Sequence, residues 1–415
     1  MDLSIRIYYD MEKYSRNELE DYVKVYAERM GFDLEPRKFI ELFVKSGILS
    51  FDTGTVEIGI PVIRAYMLAK GLAAKGIDGL DYFNLDGFDC DLQTFDLYCE
   101  FNNDHSVYEL VNKKVSESIA YFESKPSSNG SAVSSGLVNS RLLAKSLDVS
   151  AFSDEISEKA REISDISSLV DEKQARIDIE SSLRRSKSAQ NVEKSIEDYP
   201  SEHVGANRFV ASVFMLGSAA ERMEDDVKRT TIKNILRIAD LISSDIIALR
   251  SSSIDIDQIA AEMLEEIHSS GAFAVDGDEA EKDLKELVEL IVADWEFNML
   301  ASPIMATLSF LCEIGRTNVL ISPITRTPAG SRLEYLYRNG WVFDLDPVGQ
   351  RKMAPELSKQ LGSHPFLRVI FGLVMFHRTY WYHHGQLKRK AMVKGIDEIF
   401  KPLSIKSNFE IDDLD

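Results

Sequence analysis

The sequence predicts a mainly α-helical protein, and three observations carry that prediction. Apolar residues recur at helical spacing along most of the 415 residues, which places one buried face on each segment. Helix-start signals precede these segments, as in Ser15-Arg-Asn-Glu18, a capping-box pattern. Strand character is confined to Ile48–Ile60 and to a short Val319-Leu-Ile321 run.

Taken in order, Leu19, Tyr22, Val23, Tyr26 and Met30 mark a first helix. A second begins near Glu35-Pro36, where proline is tolerated in the first turn, and carries Phe39, Ile40 and Phe43. Gly47 ends it. Ile48–Phe51, Asp52–Thr55 and Val56–Ile60 then read as strand, turn and strand, and Pro61 opens a helix with Ile63, Tyr66, Met67 and Lys70 on one side. That order, Tyr14 to Ala74, is winged-helix-like with one helix added. Leu92–Glu100 and Val107–Phe122 continue as helices. Further on, Phe209, Val210, Val213, Phe214 and Gly217 mark a helix that Asp225-Asp226 separates from a long one bearing Ile232 to Ile246, a helical hairpin. Helices follow at Ile254–His268, Glu279–Trp295, Ile304–Ile314 and Phe366–Tyr382, so helix content exceeds the usual third. Paired helices of this kind stack in the manner of an α-solenoid.

Between these regions, residues 125–136 are rich in serine and glycine, a linker signal. Residues 150–200 are highly charged and read as mobile helices, with Ser182–Lys187 a lone basic patch that reads as a solvated face. The chain thus divides into residues 1–76, a winged-helix-like module; 77–125, a helical extension; 126–205, the linker with charged mobile helices; and 206–415, a C-terminal helical domain.

Composition narrows the function classes. A hydrophobic share of 44% with 28% charged residues fits a soluble globular protein with a sizeable core. Three scattered cysteines, Cys90, Cys99 and Cys312, supply neither a disulfide framework nor a zinc knuckle, so a reducing cytoplasm is expected. The N-terminus lacks a signal-peptide layout, and the windows Met299–Cys312 (broken at Pro303) and Val369–Phe376 fall short of the ~18 apolar residues of a span. No membrane partner is expected. A net charge of −20 opposes non-specific contact with nucleic acid or anionic lipid.

The order Tyr14…Tyr26, Phe39…Ser46-Gly47-Ile48-Leu49, Val56-Glu-Ile58, then Ile63-Arg-Ala-Tyr66-Met-Leu-Ala69-Lys resembles the segment directly after the ATPase core in STAND-type P-loop ATPases. Phe214–Ser218 with Val227–Ile238 is similar to a helical hairpin further downstream in bacterial members, and Leu373–His377 with Gln386–Lys390 to their C-terminal helices. The resemblance implies a regulatory, sensor or assembly half of an anti-phage defence system. Its partner is a P-loop ATPase or effector polypeptide in cis or trans, with a protein ligand as trigger. The chain departs from the family in lacking Gly-x-x-x-x-Gly-Lys-Ser/Thr, so it is expected to be non-enzymatic and to need no cofactor. It reads as the C-terminal half alone, a separate subunit or a piece of a longer reading frame.

Other chemistry is sparse. His377-Arg-Thr-Tyr-Trp381-Tyr-His383-His384 sets His377 and His384 seven apart, on one helix face but not at the i, i+4 spacing of a zinc pair. With no cysteine or carboxylate to complete a site, His377, Trp381 and His384 read as an aromatic packing or partner surface rather than a metal site. No nucleophile elbow is present, and Asp225-Asp226 and Asp412-Asp413 read as cap and tail charges. Arg316, Arg326 and Arg332 stand in the longest polar interruption of the C-terminal half, Gly315–Arg332, and are candidate contacts for an acidic partner. Tyr335, Tyr337, Trp341 and Phe343 read as core. The alternative is a free-standing helical scaffold or a winged-helix DNA-binding regulator. For the latter, Arg37, Lys38 and Lys45 on the second helix are the candidate phosphate contacts, although the wing Asp52–Glu57 carries no lysine or arginine.

Overall fold

The computed structural model describes residues 2–52, 54–87, 90–125, 201–253, 255–270, 278–350, 353–361, 364–382 and 385–400. The linker and charged segment expected at 126–205 fall outside the described residues up to residue 200. The described chain is mainly helical, with a single two-stranded sheet among its elements. Its contacts divide it into two units, residues 2–114 with 201–227 and residues 115–125 with 228–400.

The first unit opens with helix α1 (Asp2–Tyr8), which the sequence patterning does not announce, followed by α2 (Arg16–Met30) and α3 (Pro36–Lys45). Ser15 and Glu18 form the reciprocal capping box, the Glu18 amide donating to Ser15 Oγ and the Ser15 amide to Glu18 Oε2 at 2.7 Å. Gly31, at φ 69°, ends α2 in the left-handed conformation that an L side chain resists. Pro36 takes the first position of α3, where its missing N–H removes nothing. Strands β1 (Leu49–Asp52) and β2 (Thr55–Ile58) pair antiparallel, Leu49 opposite Ile58 and Phe51 opposite Val56, with Gly54 at φ 86° turning the chain. Period-two alternation sends Val56 and Ile58 inward to meet Leu19 and Ile40 in one apolar cluster. α1 is tied to that sheet by Tyr8, whose hydroxyl accepts from the Ile58 amide at 2.9 Å.

Helix α4 (Pro61–Ala73), a 3-10 helix (Gly76–Phe83), α5 (Leu92–Phe101) and α6 (His105–Ser124) follow. Helix α7 (Ser201–Ala219) returns to pack on α5, which also packs on α4. Arg208 on α7 donates to Asp86 at 2.6 Å and to the Lys114 carbonyl at 2.8 Å, and Lys114 itself reaches Asp86 at 2.6 Å. Burial alone would raise the Asp86 carboxyl, yet these two cations outweigh it and hold it below the usual carboxylate range.

The second unit contains most of α8 (Asp225–Ser253), then α9 (Ile256–Ser270), α10 (Asp278–Ile314), a 3-10 turn (Asn318–Leu320), α11 (Ile321–Arg326), α12 (Arg332–Leu345), α13 (Met353–Gln360), α14 (Pro365–Trp381) and α15 (Gln386–Phe400). Asp225 and Asp226 occupy the first turn of α8, where the helix dipole favours them. α10, α12 and α14 pack on one another around Leu308, Leu336, Trp341, Ile370 and Phe371, all at most 1% exposed.

Two local expectations are corrected by the structure. Glu279–Trp295 and Ile304–Ile314 are one continuous helix, α10, with Pro303 inside it. Proline removes the N–H that would bond the Met299 carbonyl and ordinarily breaks a helix. Arg250 of α8 donates Nη1 to that carbonyl and to Ser302 Oγ, and Ser302 Oγ also donates to it, so the orphaned acceptor is satisfied from outside the ladder. As a result Ala280–Ile314 is long and apolar enough, by length and composition, to cross a membrane. Its C-terminal part nonetheless supplies Ile304, Leu308, Leu311 and Cys312 to the protein core, each 0% exposed. The Val319–Ile321 run is not a strand, since Asn318–Leu320 forms a 3-10 turn leading into α11. The polar stretch Gly315–Arg332 therefore contains a helix, with Pro323 and Ile324 buried. α14 ends at Trp381, where the Tyr382 amide bonds the Arg378 carbonyl, and His384 of the His377–His384 spacing lies outside the described residues.

Candidate functional site

The second unit has a pocket of about 290 Å³ lined by Arg316, Asn318, Asp344, Leu345, Tyr382, Gly385 and Lys388. It is assembled where α10, α12 and α14 end and α15 begins. Gly315 fixes the end of α10. Its carbonyl accepts from the Trp341 indole at 3.0 Å, and a Cβ at this position would stand 2.3 Å from the indole ring. Only glycine allows that approach, and the approach sets where Arg316 emerges.

Beneath the pocket lies Arg378, 1% exposed. Its Nε and Nη2 reach the two oxygens of Asp344 at 3.0 Å each, Nη1 reaches Glu313 at 2.6 Å, and Nη2 also reaches the Cys312 carbonyl at 3.1 Å. Burial alone would lower this guanidinium, but Asp344 and then Glu313 more than offset it and hold it firmly charged. One side chain thus clamps α10, α12 and α14. Its guanidinium carbon sits 4.0 Å from the Tyr382 ring centroid, and that of Arg316 5.4 Å from the same ring. Arg316 reaches Glu313 only at 4.0 Å, and Lys388 has no carboxylate partner among the described residues. Among the described residues no group of three or more His, Cys, Asp and Glu side chains is placed to hold a metal ion.

In the first unit the outer face of α3 is the other candidate surface. Ile40 and Phe43 face the core, which leaves Leu42 65% exposed and Phe39 38% exposed. Lys38 and Lys45, seven apart, share that outer face, with Arg37 to one side. Lys38 is paired with Glu35 at 2.6 Å and Arg37 with Glu41 at 3.6 Å, while Arg16 reaches Glu41 from α2 at 3.4 Å. Of the cations proposed for phosphate contact, Arg37 and Lys38 are therefore paired with acids, and exposed apolar side chains flank them.

Of the residues singled out in the C-terminal half, the structure brings Arg316 into the pocket and sets His377 beside it, its ring 6.2 Å from that of Tyr382. Partial desolvation, and then the Arg378 charge, hold His377 below the usual histidine range. Trp381 is the last residue of α14. Arg326 ends α11, exposed, and Arg332 opens α12, exposed and about 18 Å along that helix from Asp344 at 1.5 Å per residue. The three arginines do not form one site. Sequence reasoning missed Asp344, Arg378 and Lys388 as site residues. The signal was present: Asp344 ends the apolar run Trp341-Val-Phe343, and Arg378 interrupts Phe371–Tyr382, and a charge in such a run needs a buried partner. Comparison with protein-family models, curated proteins and solved structures finds no match to this chain.

Proposed function

We propose that this chain is a non-enzymatic regulatory or sensor module of a STAND-like P-loop ATPase defence system, acting in the cytoplasm. Residues 1–76 serve as a winged-helix-like docking module for a P-loop ATPase or effector polypeptide supplied in cis or trans. The helical array after it, stacked in solenoid fashion, receives a protein ligand. The observation that carries the reading is the outer face of α3, where Leu42 and Phe39 are exposed between charge-balanced pairs. A protein surface is the fitting counterpart of such a face, because apolar area gains from leaving water while paired charges offer phosphate little.

The test is a binding titration of the purified chain with the P-loop ATPase polypeptide encoded beside it. A saturable complex that Leu42→Asp weakens at least tenfold supports docking through α3, whereas no complex, or one indifferent to Leu42→Asp, removes the reading. Duplex DNA at low salt separates the competing class. A salt-sensitive shift abolished by neutralising Arg37, Lys38 and Lys45 would make the module a DNA-binding regulator instead.

A further inference from the structure

The pocket of the second unit is short of one negative charge. Arg316 and Lys388 line it, and Arg378 underlies it; against these three cations stand Asp344, which lines it, and Glu313, which is bonded below it. Arg378 takes both oxygens of Asp344 and one of Glu313, so both acids are committed to the buried clamp. Lys388 is left without a partner among the described residues, and Arg316 has only the distant edge of Glu313 and the Tyr382 ring. Among the remaining pocket groups, the Asn318 side chain and the first amides of α15 can donate. The side-chain amide of Asn318 has no partner among the described residues, and Gly385 immediately precedes α15, its carbonyl accepting from the Arg389 amide at 3.0 Å. A glycine in that position supplies no capping side chain, and no side chain among the described residues accepts from the amides of Gln386, Leu387 or Lys388.

We infer that this pocket binds a small ligand bearing a phosphate group, held between Arg316 and Lys388 with Asn318 and the first-turn amides of α15 on its remaining oxygens. The donor set favours phosphate over a carboxylate. Two cations and several neutral donors, arising from three separate elements, surround a tetrahedral group with several oxygens better than a flat one with two. A volume of about 290 Å³, just below the usual range for small-molecule sites, suits a free phosphate or a compact phosphate ester. The helix C-termini that meet here oppose an anion, and Arg378 and Arg316 offset them, which leaves Lys388 as the uncommitted charge. This assignment is independent of docking through α3, since it concerns residues of the other unit.

The experiment is calorimetric titration of the full chain at constant ionic strength with inorganic phosphate, ribose 5-phosphate and acetate. Saturable binding of a phosphate probe is expected, weakened about tenfold or more by Arg316→Gln and by Lys388→Gln. Lys394→Gln, outside the pocket lining, should bind as the unmodified chain does, and Lys388→Arg, which keeps the charge, should bind more tightly than Lys388→Gln. Tighter binding of ribose 5-phosphate than of phosphate identifies an organic ester as the ligand, and equal or weaker binding identifies free phosphate. Absence of saturable heat with either phosphate probe up to ~10 mM, affinities unchanged in both glutamine variants, or acetate bound as tightly as phosphate would each overturn the assignment.

Discussion

Replacing Asp344 with alanine is the sharpest perturbation of the clamp beneath the pocket. The Arg378 and Asp344 side chains are 1% and 2% exposed, so neither charge has water to fall back on. The substitution removes two charge-assisted hydrogen bonds at 3.0 Å, each of a kind worth about 1.5–3 kcal/mol. Removing one member of a buried pair costs about 3–5 kcal/mol, because the remaining charge stays buried and uncompensated. Glu313, with its side chain 42% exposed, still holds Nη1 at 2.6 Å, which places the expected loss near the low end, about 3 kcal/mol. Urea unfolding followed by tryptophan fluorescence isolates the effect, since Trp295, Trp341 and Trp381 all belong to the second unit. Replacing both partners together, Asp344→Leu with Arg378→Met, should recover most of the loss, since an apolar pair removes the stranded charge. A loss below about 1 kcal/mol in Asp344→Ala, or a double variant no better than the single, would refute the reasoning.

Other consequences follow from the same geometry. Arg250→Met leaves the Met299 carbonyl with only the Ser302 hydroxyl and should cost the second unit about 1–3 kcal/mol in the same urea assay, whereas the same change with Pro303→Ala should cost less, since the helix then supplies its own donor. Ser15→Ala removes the cap of α2 and should lower exchange protection of the Leu19–Ala27 amides by about 1 kcal/mol; unchanged protection would show the cap to be idle. Asp86 is held below its ordinary value, so its contribution is present above about pH 4 and is lost as pH falls through the depressed value. Protection of α5 amides should therefore fall less steeply with acidification in Asp86→Asn than in the unmodified chain, and parallel slopes would contradict this.

How much was legible in the sequence depends on whether the cause was local. The capping box at Ser15, the prolines at positions 36 and 61 and the glycine turn at 54 act within a few residues, and each element they predict is present. Continuity of α10 was not legible, because the group that tolerates Pro303 is Arg250, 53 residues away in sequence. The helix at Ile321–Arg326 was hidden by its short length and polar flanks, and the β-branched Val319–Ile321 run read as strand by propensity until packing overrode it. Arg316 was found by its loop position alone. Its neighbours Asp344, Arg378 and Lys388 come from three helices that only tertiary packing brings together.

The central claim, that α3 is the docking face, is tested most directly by amide hydrogen exchange on the full chain with and without the proposed partner, a P-loop ATPase polypeptide. Docking as proposed slows exchange across Pro36–Lys45 and the Leu49–Ile58 hairpin while leaving the amides of α12 unchanged. Exchange unaltered in α3, or protection appearing only in the second unit, would contradict it.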